Sequence, residues 1–73
     1  MAFAENVKRL RKEKGLTQKQ LANLVGITQP TIAQYEIGIK VPTIVIGAKL
    51  AKELDTTCED LLSDRKQEEN TNE

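Results

Sequence analysis

Seventy-three residues make one small domain with a thin core, and with Phe3 and Tyr35 as its only aromatic residues that core must be aliphatic. Histidine is absent and Cys58 is the sole cysteine, which excludes Ser-His and Cys-His nucleophile pairs, His-based metal sites and an intrachain disulfide. The net charge of zero hides a split: residues 1–52 carry nine Lys/Arg against three acids (+6), and residues 53–73 carry two bases against eight acids (−6), a plan suited to meeting a polyanion with one face.

The first predicted element is an amphipathic helix over residues 3–13, because Phe3, Val7 and Leu10 recur at spacings of four and three with charges between them. Glu5, Asn6, Lys8 and Arg9 also break up any signal-peptide pattern, and no run of 18 apolar residues follows. A cytoplasmic protein with no membrane partner is therefore expected. Lys14-Gly15 ends this helix, with Gly15 suited to a left-handed terminal position. Thr17 reads as the N-cap of a second helix, and Gln20 completes a capping box. Leu21, Ala22, Leu24 and Val25 are its expected buried face.

Gly26 breaks the second helix, and a third starts at once with Thr28 as N-cap and Pro30 in the first turn, where a missing N–H costs nothing. Ile32 and Tyr35 are its inner residues, Gly38 ends it, and residues 37–42 form a loop. Thr43 caps a fourth helix to about Leu54, with Ile44, Ala48, Ala51 and Leu54 on one face and Gly47 inside it. Thr57 caps a short fifth helix over residues 58–62. Cys58 reads as a small helix-start or core residue. Residues 64–73 contain no apolar side chain and are expected to form an acidic, disordered tail on a domain of residues 1–63. The chain shows no repeats and no strands, so the expected class is all-α with five helices.

The informative stretch is residues 17–35. Two short helices joined by three or four residues around Gly26 cannot lie antiparallel and must cross steeply, which is helix-turn-helix geometry. Small Ala22 suits the crossing, and Val25, Ile27 and Ile32 form the core behind the turn. In such a motif the second helix enters the major groove of DNA. Glutamine there offers a donor and an acceptor on one planar amide, matching adenine N6 and N7, while Thr31 can bond a base or set its methyl against thymine. Gln29 and Gln34 share the face not committed to the core.

The run Gln18-Lys19-Gln20-Leu21-Ala22, followed by Val25-Gly26-Ile27-Thr28 and then Ile32, Tyr35-Glu36, Gly38 and Pro42, resembles the phage repressor and Cro-like (XRE-type) helix-turn-helix family. The resemblance spans residues 7–62. It implies a five-helix, lambda-repressor-like DNA-binding domain and double-stranded DNA as partner. It further implies that Gln18 binds a backbone phosphate and braces the recognition helix. Thr28, Gln29, Thr31 and Gln34 match the family's DNA-facing positions, and Arg11 and Glu36 match a structural ion pair behind that face.

In two places the sequence departs from this pattern. The loop that usually grips phosphate holds Ile37, Ile39 and Val41, leaving Lys40 as its one basic residue, and Val45 and Ile46 add apolar side chains to the start of the fourth helix. This strip is too apolar for a monomer's surface, so Ile37, Ile39, Val41, Val45 and Ile46 are the expected interface of a homodimer. The expected function is sequence-specific transcriptional regulation, by repression, through an operator. No enzyme activity, cofactor, metal or small-molecule ligand is expected. The competing reading is a protein-interaction module of the same fold that works through the Ile37–Ile46 strip.

Overall fold

The structure, a computed structural model, describes residues 2–63; the expected acidic tail, residues 64–73, lies outside the described residues. Five helices follow in chain order: α1 (Ala2–Glu13), α2 (Gln18–Val25), α3 (Gln29–Glu36), α4 (Ile44–Glu53) and α5 (Cys58–Leu62). No strand occurs among the described residues. This is the all-α, lambda-repressor-like class read from the sequence.

Local chemistry sets the boundaries. Thr17, Thr28, Thr43 and Thr57 all sit in extended backbone as N-caps, each hydroxyl accepting from the amide three residues on. At α2 the capping box is complete, since the Gln20 side chain also accepts from the Thr17 amide at 2.8 Å. Gly26 closes α2 at φ 86°, a left-handed conformation that costs glycine little and other residues more. The turn into α3 is therefore fixed from both sides.

One aliphatic core joins all five helices. Val7, Leu21, Ile32, Leu50, Leu54 and Leu61 are its largest fully buried side chains, and the Phe3 and Tyr35 rings meet edge to face with centroids 5.8 Å apart. α1 packs on α3 and α5, while α2 packs on α3 and α4. Asn6 lies on the inner stripe of α1, where its amide donates to the carbonyls of Leu61 at 2.8 Å, Ser63 at 3.1 Å and Asp60 at 3.3 Å. It thereby closes the C-terminal end of α5 from the opposite end of the chain.

Three assignments of inner face need correction. Leu24 is 52% exposed, because the stripe of α2 that meets the core runs through Leu21, Ala22 and Val25. In α4, Ile44 is 89% exposed and Ala48 is also exposed; the buried residues are Leu50 and Ala51, with Leu54 just beyond the helix. The Thr43 cap sets a register in which Ile44 opens the helix on its outer side. Ile46, expected at an intersubunit surface, is half-buried and packs against the core. Gly47 is half-buried beside Pro42.

Candidate nucleic-acid interface

Helix α3 divides its side chains between two environments. Ile32 and Tyr35 are buried, while Thr28, Gln29 and Pro30 in its first turn are exposed and Thr31 and Gln34 are half-buried. The N-terminus and outer face of α3 therefore form a polar surface of hydroxyls and amides. The Thr28 and Thr31 hydroxyls lie 2.8 Å apart, and Thr28 also receives the Thr31 amide at 3.4 Å. The Gln34 amide has no hydrogen-bond partner among the described residues.

Behind this surface lies a connected polar network. Arg11 Nε donates to Glu36 Oε2 at 2.6 Å and Arg11 Nη2 to Glu36 Oε1 at 3.1 Å, a two-point contact between side chains only 10% and 3% exposed. The third guanidinium nitrogen donates to the Leu16 carbonyl at 2.7 Å. The pair thus ties the end of α3 to α1 and to the segment entering α2. Gln18 Nε2 donates to the same Glu36 Oε1 at 3.0 Å. Gln18 Oε1 in turn accepts from Gln29 Nε2 at 2.7 Å, so a chain of hydrogen bonds runs from the buried ion pair out to the first residue of α3.

The sequence paired Arg11 with Glu36 and set Gln18 and Gln29 apart from them, and the fold joins all four in one network. Sequence reasoning did not foresee the Gln18–Glu36 and Gln18–Gln29 bonds, the Asn6 closure of α5, or the Lys14–Asp55 ion pair. Asn6 did leave a signal, since a polar residue there interrupts the stripe of Phe3, Val7 and Leu10. Lys40 is exposed in the loop after α3, between Ile39 and Val41. Ile37, Ile39, Val41 and Val45 are exposed as well, together with Ile44 and Leu62. Beside them lies an apolar depression of about 320 Å³ walled by Phe3, Val41, Pro42, Gly47 and Leu61.

A helix-turn-helix family model matches residues 7–61, from within α1 to α5. The chain belongs to this family. It is 42% identical over 60 residues to the HTH-type transcriptional regulator AnsR of Bacillus subtilis (strain 168), covering 82% of this chain and 52% of AnsR. Its fold is similar to the restriction-modification controller protein C.AhdI from Aeromonas hydrophila, with 33% identity, a TM-score of 0.77 and coverage of 82% of this chain and 91% of that one. The P22 c2 repressor, solved in complex with a synthetic operator, superposes with a TM-score of 0.83 at 25% identity, covering 86% of this chain and 96% of that one. The chain spans about half the length of AnsR and of several other curated relatives. Among the described residues, no helix of this helix-turn-helix protein is long and apolar enough to cross a membrane.

Proposed function

We propose that this chain is a sequence-specific transcriptional regulator that represses by occupying an operator, with α3 in the major groove. The observation that carries the reading is the polar outer surface of α3, braced from α2 through Gln18 and from α1 through Arg11 and Glu36. A rigid donor–acceptor surface on a helix is what base-edge readout requires. The relatives support it: AnsR is a transcriptional regulator by name, and the P22 c2 repressor was solved on an operator.

Gln29 and Gln34 are assigned to base edges, Thr28 and Thr31 to the same face, and Gln18 and Lys40 to backbone phosphates. Occupancy, not catalysis, is the mechanism, and it needs no cofactor. The site of action is the cytoplasm. The working unit is a homodimer joined through Ile37, Ile39, Val41 and Val45, with Ile46 supporting that strip from its half-buried position. One small recognition helix reads too few base pairs to stand out in a genome, and a twofold pair doubles the reading frame.

Selection of bound sequences from random duplex DNA tests the reading. An inverted repeat with half-sites about one turn, roughly 34 Å, apart is expected. Failure to enrich any sequence, together with retention of a protein partner by the Ile37–Val45 strip, would favour the interaction-module reading instead.

A further inference from the structure

We propose that the depression between α2 and α4 docks an acidic helical segment of another protein, one that carries an apolar side chain between two carboxylates. The depression, of about 380 Å³, is walled by Asn23, Leu24 and Gly26 on one side and by Lys49, Lys52 and Glu53 on the other. No residue of α3, of the Ile37–Val45 strip or of the polar network behind α3 takes part in it. Its working parts are an exposed leucine and two exposed lysines, and neither lysine has a hydrogen bond or ion pair among the described residues.

Either part alone is ordinary. Single apolar side chains are common on protein surfaces, and Lys52 suits the last turn of α4, where it meets the negative end of the helix dipole. Together they form a recognition surface. Lys49 and Lys52 are three residues apart, so they leave α4 as neighbours. Glu53 follows Lys49 by four residues, yet it is half-buried and pairs with neither lysine. The α4 wall therefore keeps a net charge of +1, two lysines against one acid.

Charge complementarity selects the occupant. Leu24 asks for an apolar partner and two free ammonium groups ask for two carboxylates, a set that one face of an amphipathic helix presents at spacings of three and four. A second copy of this chain cannot supply it. Its exposed leucine with acids nearby is Leu62, but Asp55 is already held by Lys14 and Asp60 is engaged as well, which leaves Glu59 alone. Duplex DNA fits less well, since a row of phosphates offers Leu24 nothing apolar.

The test uses the full chain and a synthetic probe, an alanine-rich helical peptide with one leucine and glutamates three residues before and four after it. Two companion peptides replace the glutamates by glutamine or the leucine by serine. Backbone amide shifts of the chain are followed during titration, and affinity is read from the fluorescence anisotropy of labelled peptide. Shifts should gather at Asn23, Leu24, Gly26, Lys49 and Lys52 and spare α3 and residues 37–45. Each companion should bind roughly tenfold more weakly. Lys49→Glu with Lys52→Glu should cost the glutamate peptide roughly tenfold and gain affinity for a peptide with lysines in the glutamate positions, a reversal that a misfolded variant could not give. Lys8→Glu, exposed on α1, should keep the parent affinity.

Equal affinity for the three peptides, shifts centred on α3 or on the Ile37–Val45 strip, or no binding at millimolar peptide would each overturn the proposal. Concentration-dependent shifts at Leu24 and Lys49 in the chain alone would give the site to a second copy. A flatter salt dependence of operator binding in the Lys49→Glu, Lys52→Glu variant would give the lysines to phosphate. Both results overturn it. The peptide titrations need no DNA, so their failure leaves the reading role of α3 untouched.

Discussion

Glu36 has its carboxylate engaged by Arg11 at two points and by Gln18 at a third, with a side chain only 3% exposed. Glu36→Gln leaves the Arg11 guanidinium in the same dry site without a counter-charge, which costs about 3–5 kcal/mol. For a domain of this size that lowers the melting temperature by more than about 10 °C. Thermal unfolding followed by circular dichroism checks it, and a shift of only about a degree or two would mark the pair as a surface contact. Tyr35 offers a pH test at the same scale. Burial pushes its phenol above the ordinary range, so the neutral ring is favoured in the folded state. The associated stability is complete below about pH 10 and is lost as pH rises through the folded value. Denaturant midpoints at about pH 9 and about pH 11 should therefore fall further apart for the parent than for Tyr35→Phe.

At the level of helices, what was legible in the sequence was what is local. The Thr17-Gln20 box, the Gly26 stop and Thr28 with Pro30 act within a few residues, and α2 and α3 lie where those signals put them. Helix α4 was misread on one face because apolar residues surround it, leaving periodicity no contrast with which to choose a register. Only its packing against α2 and α5 decides that Leu50 and Ala51 are inside and that Ile44 and Ala48 are not. The same limit applies to the site. Gln18 and the Arg11–Glu36 pair were marked by the family resemblance and Gln29 also by its chemistry, whereas the bonds from Gln18 to Glu36 and Gln29 depend on three helices meeting. Gly47 gives this scale its prediction. A Cβ there would meet only Pro42 Cγ, at 3.8 Å, an ordinary contact. Gly47→Ala should therefore stabilise the domain by up to about 1 kcal/mol, through helix propensity and a less flexible unfolded chain. A higher urea midpoint with an unchanged slope is the expected result.

For the whole molecule, the exposed strip of Ile37, Ile39, Val41 and Val45 and the polar surface of α3 follow one another along the chain. Ile39→Lys separates their roles. If the strip is the dimer seam, a charge buried there weakens operator binding, and the complex shifts toward one subunit per site. If the strip faces DNA, the added charge tightens binding and steepens its salt dependence. Sedimentation on operator duplexes, with a salt titration, distinguishes the two.

The Asn6 amide also has a consequence for how the chain comes together. Its bond to the Leu61 carbonyl joins residues 55 positions apart, so α2, α3 and α4 all lie inside a loop whose two ends are fastened by one side chain. Closing a loop of that length carries an entropic cost of about 3.5 kcal/mol plus a constant, met only when both ends are present. A nascent chain that stops short of Leu61 holds α2, α3 and α4 complete yet lacks this clasp, so the closure of α1 on α5 forms last, after synthesis has passed α5. Asn6→Ala should loosen the clasp selectively: the Leu61 amide, which donates to Thr57 within α5, should exchange with solvent much faster, while amides in α2 and α3 slow the same reaction nearly as well as before.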